Sequence, residues 1–155
     1  MIQKKDSSKI YIISSFLLLI IISLFVAIIY EKNNKESNRI IKINLNTKVE
    51  EILNWKFSTK NNFIDVTIGQ IYKIDFNVEN YSSEVTSGSA IYEVKPEFLK
   101  KYFVEIDCFC YKKQILSPSE KSKYSITFYI DPKIISDLKA NDIKDINISY
   151  TFLNT

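Results

Sequence analysis

The chain has 155 residues, 46% hydrophobic and 25% charged, with 21 Lys+Arg against 18 Asp+Glu, which fits one domain of ordinary size with a near-neutral surface. It contains no histidine, no glycines besides Gly69 and Gly88, and no cysteines besides Cys108 and Cys110. That inventory excludes a Ser-His-Asp hydrolase, a His-ligated zinc, haem or blue-copper centre, and the clustered glycines of a P-loop or dinucleotide fingerprint.

Residues 1–9 carry Lys4, Lys5 and Lys9 against one acid, Asp6. From Ile10 to Tyr30 the chain then runs 21 residues without a charge. At 1.5 Å per residue such a helix is about 31 Å long, matching a hydrocarbon core of about 30 Å. Each Ile, Leu, Phe or Val in it favours insertion by roughly 0.3–0.6 kcal/mol, enough to outweigh Ser14, Ser15 and Ser23. Residues 10–30 therefore read as a transmembrane helix. A cleaved signal peptide fits less well, because the apolar run is too long and its end, Val26-Ala27-Ile28-Ile29-Tyr30, lacks the small-x-small cleavage pattern. By the positive-inside rule the three lysines hold residues 1–9 in the cytoplasm or matrix and send the rest across the membrane.

Residues 31–39 are polar and read as a tether to a domain at 40–155. Beyond the span the net charge is only about +1, so there is no field to attract nucleic acid. The domain alternates at period two. Strands are predicted at Ile40–Leu45, Phe63–Ile68, Tyr72–Val78, Ser89–Lys95, Phe103–Tyr111, Gln114–Leu116, Tyr124–Ile130 and Ile146–Phe152. Turn signals fall at Gly69-Gln70, Asn80–Ser83, Ser87-Gly88 and Ser117–Glu120. Short helical turns are predicted at Pro96–Lys101 and Pro132–Leu138, the latter with Asp131 as N-cap and Pro132 at the first helical position. The fold class is therefore all-β, an immunoglobulin-like antiparallel β-sandwich preceded by one transmembrane helix.

If the strand holding Cys108 and Cys110 is extended to Tyr111, both sulfurs lie on the face of Val104 and Ile106, at the rim of the sandwich, and Phe109 points away. Extended Cα atoms two apart are about 6.5–7 Å distant, at or beyond the bridging limit, which argues against a disulfide. A soft metal between two thiolates suits that separation better. Cu(I) leads because it accepts two or three sulfur ligands, whereas zinc wants four and no others of the right kind stand out in the sequence. Lys112 and Lys113 would favour the thiolate form electrostatically. From spacing alone, simple packing and a redox-active pair stay open beside metal binding.

The run Tyr102-Phe103-Val104-Glu105-Ile106-Asp107-Cys108-Phe109-Cys110-Tyr111, followed by Gln114, Leu116, Pro118 and Glu120, closely resembles the signature of the copper-delivery family called CtaG in bacteria and cytochrome c oxidase assembly factor eleven in mitochondria. Trp55-Lys56-Phe57, Gly88–Pro96, Phe128–Pro132 and Ile148–Phe152 resemble other family stretches in the same order. The resemblance implies a single-pass inner-membrane protein whose immunoglobulin-like domain carries Cu(I) to the CuB centre of cytochrome c oxidase subunit 1. It also implies Cys108 and Cys110 as the metal ligands, a homodimer with copper near the subunit contact, an upstream copper donor, and transfer by ligand exchange without enzymatic turnover. The domain would then lie in the periplasm of a bacterium or the intermembrane space of a mitochondrion. With no Arg-rich amphipathic presequence before the span, a bacterial or mitochondrion-encoded protein is expected. Three departures stand out: the stretch just after the membrane helix, Glu31-Lys32-Asn33-Asn34-Lys35, lacks the family's further cysteine, Tyr111 replaces a Phe, and Lys112-Lys113 replace Thr-Glu. The alternative is a structural assembly factor whose β-sandwich grips a membrane partner, its cysteines merely packed. A thiol oxidoreductase ranks behind both.

Overall fold

The computed structural model describes residues 5–37 and 39–155, in two compact units that divide at Glu36/Ser37. The first unit is essentially one helix, α1 (Lys5–Ser37). Within it Tyr11–Glu31 is long and apolar enough to cross a bilayer, and its side chains are exposed throughout. An apolar surface open on every side suits lipid and is costly in water. The helix continues through residues 31–37 of the polar stretch 31–39, and strand begins at Ile40. Residues 1–4, including Lys4 of the basic N-terminal run, and Asn38 of the tether lie outside the described residues.

The second unit packs two sheets face to face. Its strands are β1 (Ile40–Val49), β2 (Trp55–Thr59), β3 (Phe63–Thr67), β4 (Tyr72–Asn80), β5 (Thr86–Lys95), β6 (Phe103–Asp107), β7 (Lys113–Leu116), β8 (Lys121–Ile130) and β9 (Asp145–Asn154). One sheet has the order β3-β1-β9-β5-β7 and the other β2-β4-β8-β6. This is the expected sandwich, with one pairing that is not antiparallel. Strands β1 and β9 run parallel from Lys42↔Asp145 to Val49↔Phe152. Parallel neighbours need a long connection, and here the whole intervening domain supplies it.

Alternation decides which side chains enter the core. Ile41, Ile43 and Leu45 of β1, and Ile146, Ile148, Tyr150 and Phe152 of β9, are buried from one sheet. Ile74, Phe76 and Val78 of β4, and Ile126, Phe128 and Ile130 of β8, meet them from the other. Each large apolar side chain so buried contributes about 1.5–3 kcal/mol against the cost of ordering the backbone. The Trp55 indole Nε1–H donates to Thr86 Oγ1 at 2.7 Å, tying the second sheet to the first. Gly88 has its reason here, since a Cβ would come 2.9 Å from both the Leu153 carbonyl oxygen and Leu53 Cδ1.

Strand β2 was not predicted, because five residues with two inward aromatics give too short an alternation to separate from a loop. The helical turns are 3-10 turns, at Glu97–Tyr102, Pro132–Ser136 and Leu138–Ala140. Asp131 caps the second of these as expected, accepting from the Lys133 backbone N–H at 2.9 Å. Asn80, wholly buried, donates from Nδ2 to the carbonyls of Glu84, Leu116 and Ser117 and so fixes the β7–β8 turn.

Asp137 joins the turns. It accepts from the Tyr102 hydroxyl at 2.6 Å, the Lys139 backbone N–H at 3.0 Å and Lys101 Nζ at 3.1 Å. These contacts, Tyr102 first, lower its pKa from 3.8 to about 2. A depressed carboxylate stabilises the fold fully above its unfolded value and loses that contribution as pH falls through the folded value. Asp137→Asn is therefore expected to flatten the loss of stability between about pH 4 and pH 2, measured by urea unfolding across that range; an unchanged acid limb would contradict the assignment.

Candidate metal centre

Strand β6 leaves its partner early. It pairs with β8 at Phe103↔Ile130, Val104↔Tyr129 and Glu105↔Phe128, but the next pair is Asp107↔Thr127. Two residues advance on β6 for one on β8, so Ile106 forms a bulge and the simple alternation breaks there. The strand ends at Asp107 rather than Tyr111, and residues 108–112 turn across from the second sheet to β7 of the first. The Tyr111 N–H closes the crossing by donating to the Ala90 carbonyl at 2.8 Å, with Tyr111 at φ +61°.

Two expectations are thereby corrected. The chain at the cysteines is not extended, and their Cα atoms are 5.2 Å apart, within bridging distance, with the sulfurs joined as a disulfide. Nor do the two sulfurs share a strand face with Val104 and Ile106 while Phe109 points away, because the strand has ended before them. Phe109 and Cys110 are both buried, at 6% and 5% exposure, and Cys108 is half-buried. Phe109 enters the core between the sheets, stacked on Tyr124 at 5.2 Å and on Phe152 at 5.8 Å, with Phe76 edge-on at 5.6 Å and Phe57 at 6.1 Å. The ring pins the loop, and the sulfurs flank it.

A third donor joins them. One carboxylate oxygen of Glu105 and the two sulfurs all lie within 4.8 Å of one another, and Glu105 Oε1 is 3.9 Å from Cys110 Sγ. An ion bonded to sulfur at about 2.3 Å holds its donors within about 4.6 Å of one another, so once the disulfide is reduced and the sulfurs separate, the three donors need only small movements to meet on one ion. Sequence reasoning missed Glu105. The signal was its place two residues after Phe103, hence inward, where the strand otherwise calls for an apolar side chain.

Burial raises the Glu105 pKa, opposed by the phenols of Tyr92 and Tyr150 and by the charge of Lys100. In return burial, and then the Glu105 charge, push Tyr92 up to about 12 and Tyr150 higher still. Both phenols thus remain O–H donors at any physiological pH. The Tyr150 hydroxyl is buried without a hydrogen-bond partner among the described residues, facing the electrostatic influence of that carboxylate. When reduced, this corner offers two soft sulfurs and one hard oxygen beside aromatic rings, with Glu105 and Cys108 half-buried and open in part to solvent.

A family model described as cytochrome c oxidase assembly protein CtaG/Cox11 matches residues 25–154. Cytochrome c oxidase assembly protein CtaG of Ehrlichia ruminantium is 40% identical over 112 residues, covering 72% of this chain and 63% of its own length. The protein of that name from Bradyrhizobium diazoefficiens is 36% identical over 114 residues, 74% of this chain and 53% of its own. That of Reclinomonas americana is 36% identical over 123 residues, 79% and 68% respectively. The chain thus spans between about half and two thirds of the length of these relatives.

Proposed function

The chain belongs to the CtaG/Cox11 family of cytochrome c oxidase assembly proteins, and on that footing we propose that it is a membrane-anchored Cu(I) chaperone serving the CuB centre of oxidase subunit 1. The observation that carries the reading is the pair of sulfurs of Cys108 and Cys110, held side by side on a loop that Phe109 pins into the core. Thiolates select Cu(I), and two of them suffice for it. The disulfide is the form that cannot take copper; the reduced pair is the form that can. Copper passes by associative exchange, an incoming ligand bonding before an outgoing sulfur leaves, so no substrate bond is made or broken.

The helix α1 anchors the protein once. The basic residues before the span support an N-terminus in the cytoplasm or matrix and a copper domain in the periplasm or intermembrane space. A homodimer would bring two thiolate pairs together, and an upstream donor would load them. The family cysteine absent here after the membrane helix leaves Cys108 and Cys110 as the complete set of sulfur ligands apart from Met1.

Oxidase maturation separates this from the structural alternative. In cells lacking their own family member, the wild-type chain is expected to restore a copper-replete oxidase, and the double variant Cys108→Ser/Cys110→Ser to yield oxidase protein without CuB. Full restoration by the double variant would support a structural grip with packed cysteines and overturn copper delivery.

A further inference from the structure

Resting on the reading of Cys108 and Cys110 as copper ligands, we infer that Glu105 gives the reduced site a second coordination mode, a two-sulfur, one-oxygen site for a borderline divalent ion such as Co(II) or Zn(II). The sequence alone argued against zinc for want of ligands. The fold supplies one, since the early end of β6 lets the chain turn back and set both sulfurs within 4.8 Å of the Glu105 carboxylate.

The environment of that carboxylate favours a ligand role. Glu105 is half-buried, faces Phe128 across the sheet, and forms no ion pair among the described residues. A charged group withdrawn from water without an ionic partner is costly, and coordination is one way for it to be compensated. Tyr92 and Tyr150 are near enough to influence its charge, and its Oε1 lies 3.9 Å from Cys110 Sγ.

Donor chemistry then separates two kinds of metal. A soft Cu(I) ion is satisfied by the sulfurs and gains little from a hard carboxylate oxygen. Co(II) and Zn(II) bind mixed sulfur and oxygen sets in tetrahedral geometry, here with water at the fourth position. Glu105 is thus a specificity-determining residue: it admits divalent ions to the site without holding copper.

The test is anaerobic titration of the reduced full chain in detergent micelles with Co(II) chloride at neutral pH. Thiolate-to-cobalt charge transfer in the near ultraviolet and the d–d bands of a four-coordinate ion are the readouts. Cu(I) affinity is measured in parallel by competition with a chelator. The wild type is expected to bind one Co(II) per chain with tetrahedral spectra. Glu105→Gln is expected to lose at least about tenfold in Co(II) affinity, at or beyond the lower end of what losing an outer-shell partner costs, while Cu(I) affinity stays unchanged. Equal Co(II) binding by wild type and Glu105→Gln would overturn the inference, and so would equal losses for both metals, which would mark Glu105 as merely structural. Undiminished Cu(I) binding by Cys108→Ser/Cys110→Ser would instead sink the copper reading itself, so the two failures are distinguishable.

Discussion

Phe109→Ala is expected to destabilise the domain by about 3–5 kcal/mol, the usual cost of deleting a buried aromatic ring. The ring is 6% exposed and bridges the sheets, touching Phe76 and Tyr124 of one and Phe152 of the other. Removing it leaves a cavity that strands fixed on both sides cannot close. Its position between the cysteines adds a second consequence. The loop crosses between sheets, is tied by the Tyr111 N–H to Ala90, and has this ring as its largest buried apolar side chain. The alanine variant should therefore lose Cu(I) affinity as well, by loosening the distance between the sulfurs. Thermal unfolding of the full chain in detergent, followed by near-ultraviolet circular dichroism, measures the first effect, and chelator competition measures the second. Wild-type stability in Phe109→Ala would contradict the packing account. A large stability loss with unchanged copper affinity would show that the loop does not need its anchor to place the sulfurs.

The second large effect is on copper binding itself. Either Cys108→Ser or Cys110→Ser leaves one thiolate, and a hydroxyl is a hard, protonated oxygen that Cu(I) does not favour. Each single variant is expected to weaken Cu(I) binding by more than the roughly 10–100-fold that losing an outer-shell partner costs, and the double variant to bind no stoichiometric copper. Chelator competition under anaerobic reducing conditions gives the affinities. The packing consequences should differ between the two positions. Cys110 is buried and Cys108 only half-buried, so, against the reduced wild type, Cys110→Ser places a hydroxyl where little water reaches and should also lower thermal stability, whereas Cys108→Ser should not. If the single variants bound copper as tightly as the wild type, the ligands would have to be sought elsewhere.

Much of this architecture was legible in the residues. Tyr72-Lys73-Ile74-Asp75-Phe76 and Ile146–Phe152 alternate so regularly that the strands and their inward faces follow directly, and Asp131-Pro132 announces its own cap. Where reading failed, the missing information lay in a partner strand. The bulge at Ile106 exists because of how β6 registers against β8, and no local feature of Val104–Cys110 distinguishes it from a continuing strand. The error spread from there: an extended Cys108–Cys110 separation, Phe109 set on the far side from the sulfurs, and Glu105 unnoticed. The parallel β1/β9 pairing likewise joins segments about a hundred residues apart in sequence, which local alternation cannot match. The cysteines themselves were visible at once as the chain's whole stock of thiols. Their nearness to a carboxylate required the fold.

One measurement bears most directly on the claim that this chain carries copper through sulfur alone: X-ray absorption at the copper edge of the reduced, Cu(I)-loaded full chain. A first shell of two or three sulfur scatterers, with no oxygen or nitrogen and unchanged in Glu105→Gln, is the expected result. A shell dominated by oxygen or nitrogen, or copper still bound in Cys108→Ser/Cys110→Ser, would contradict it.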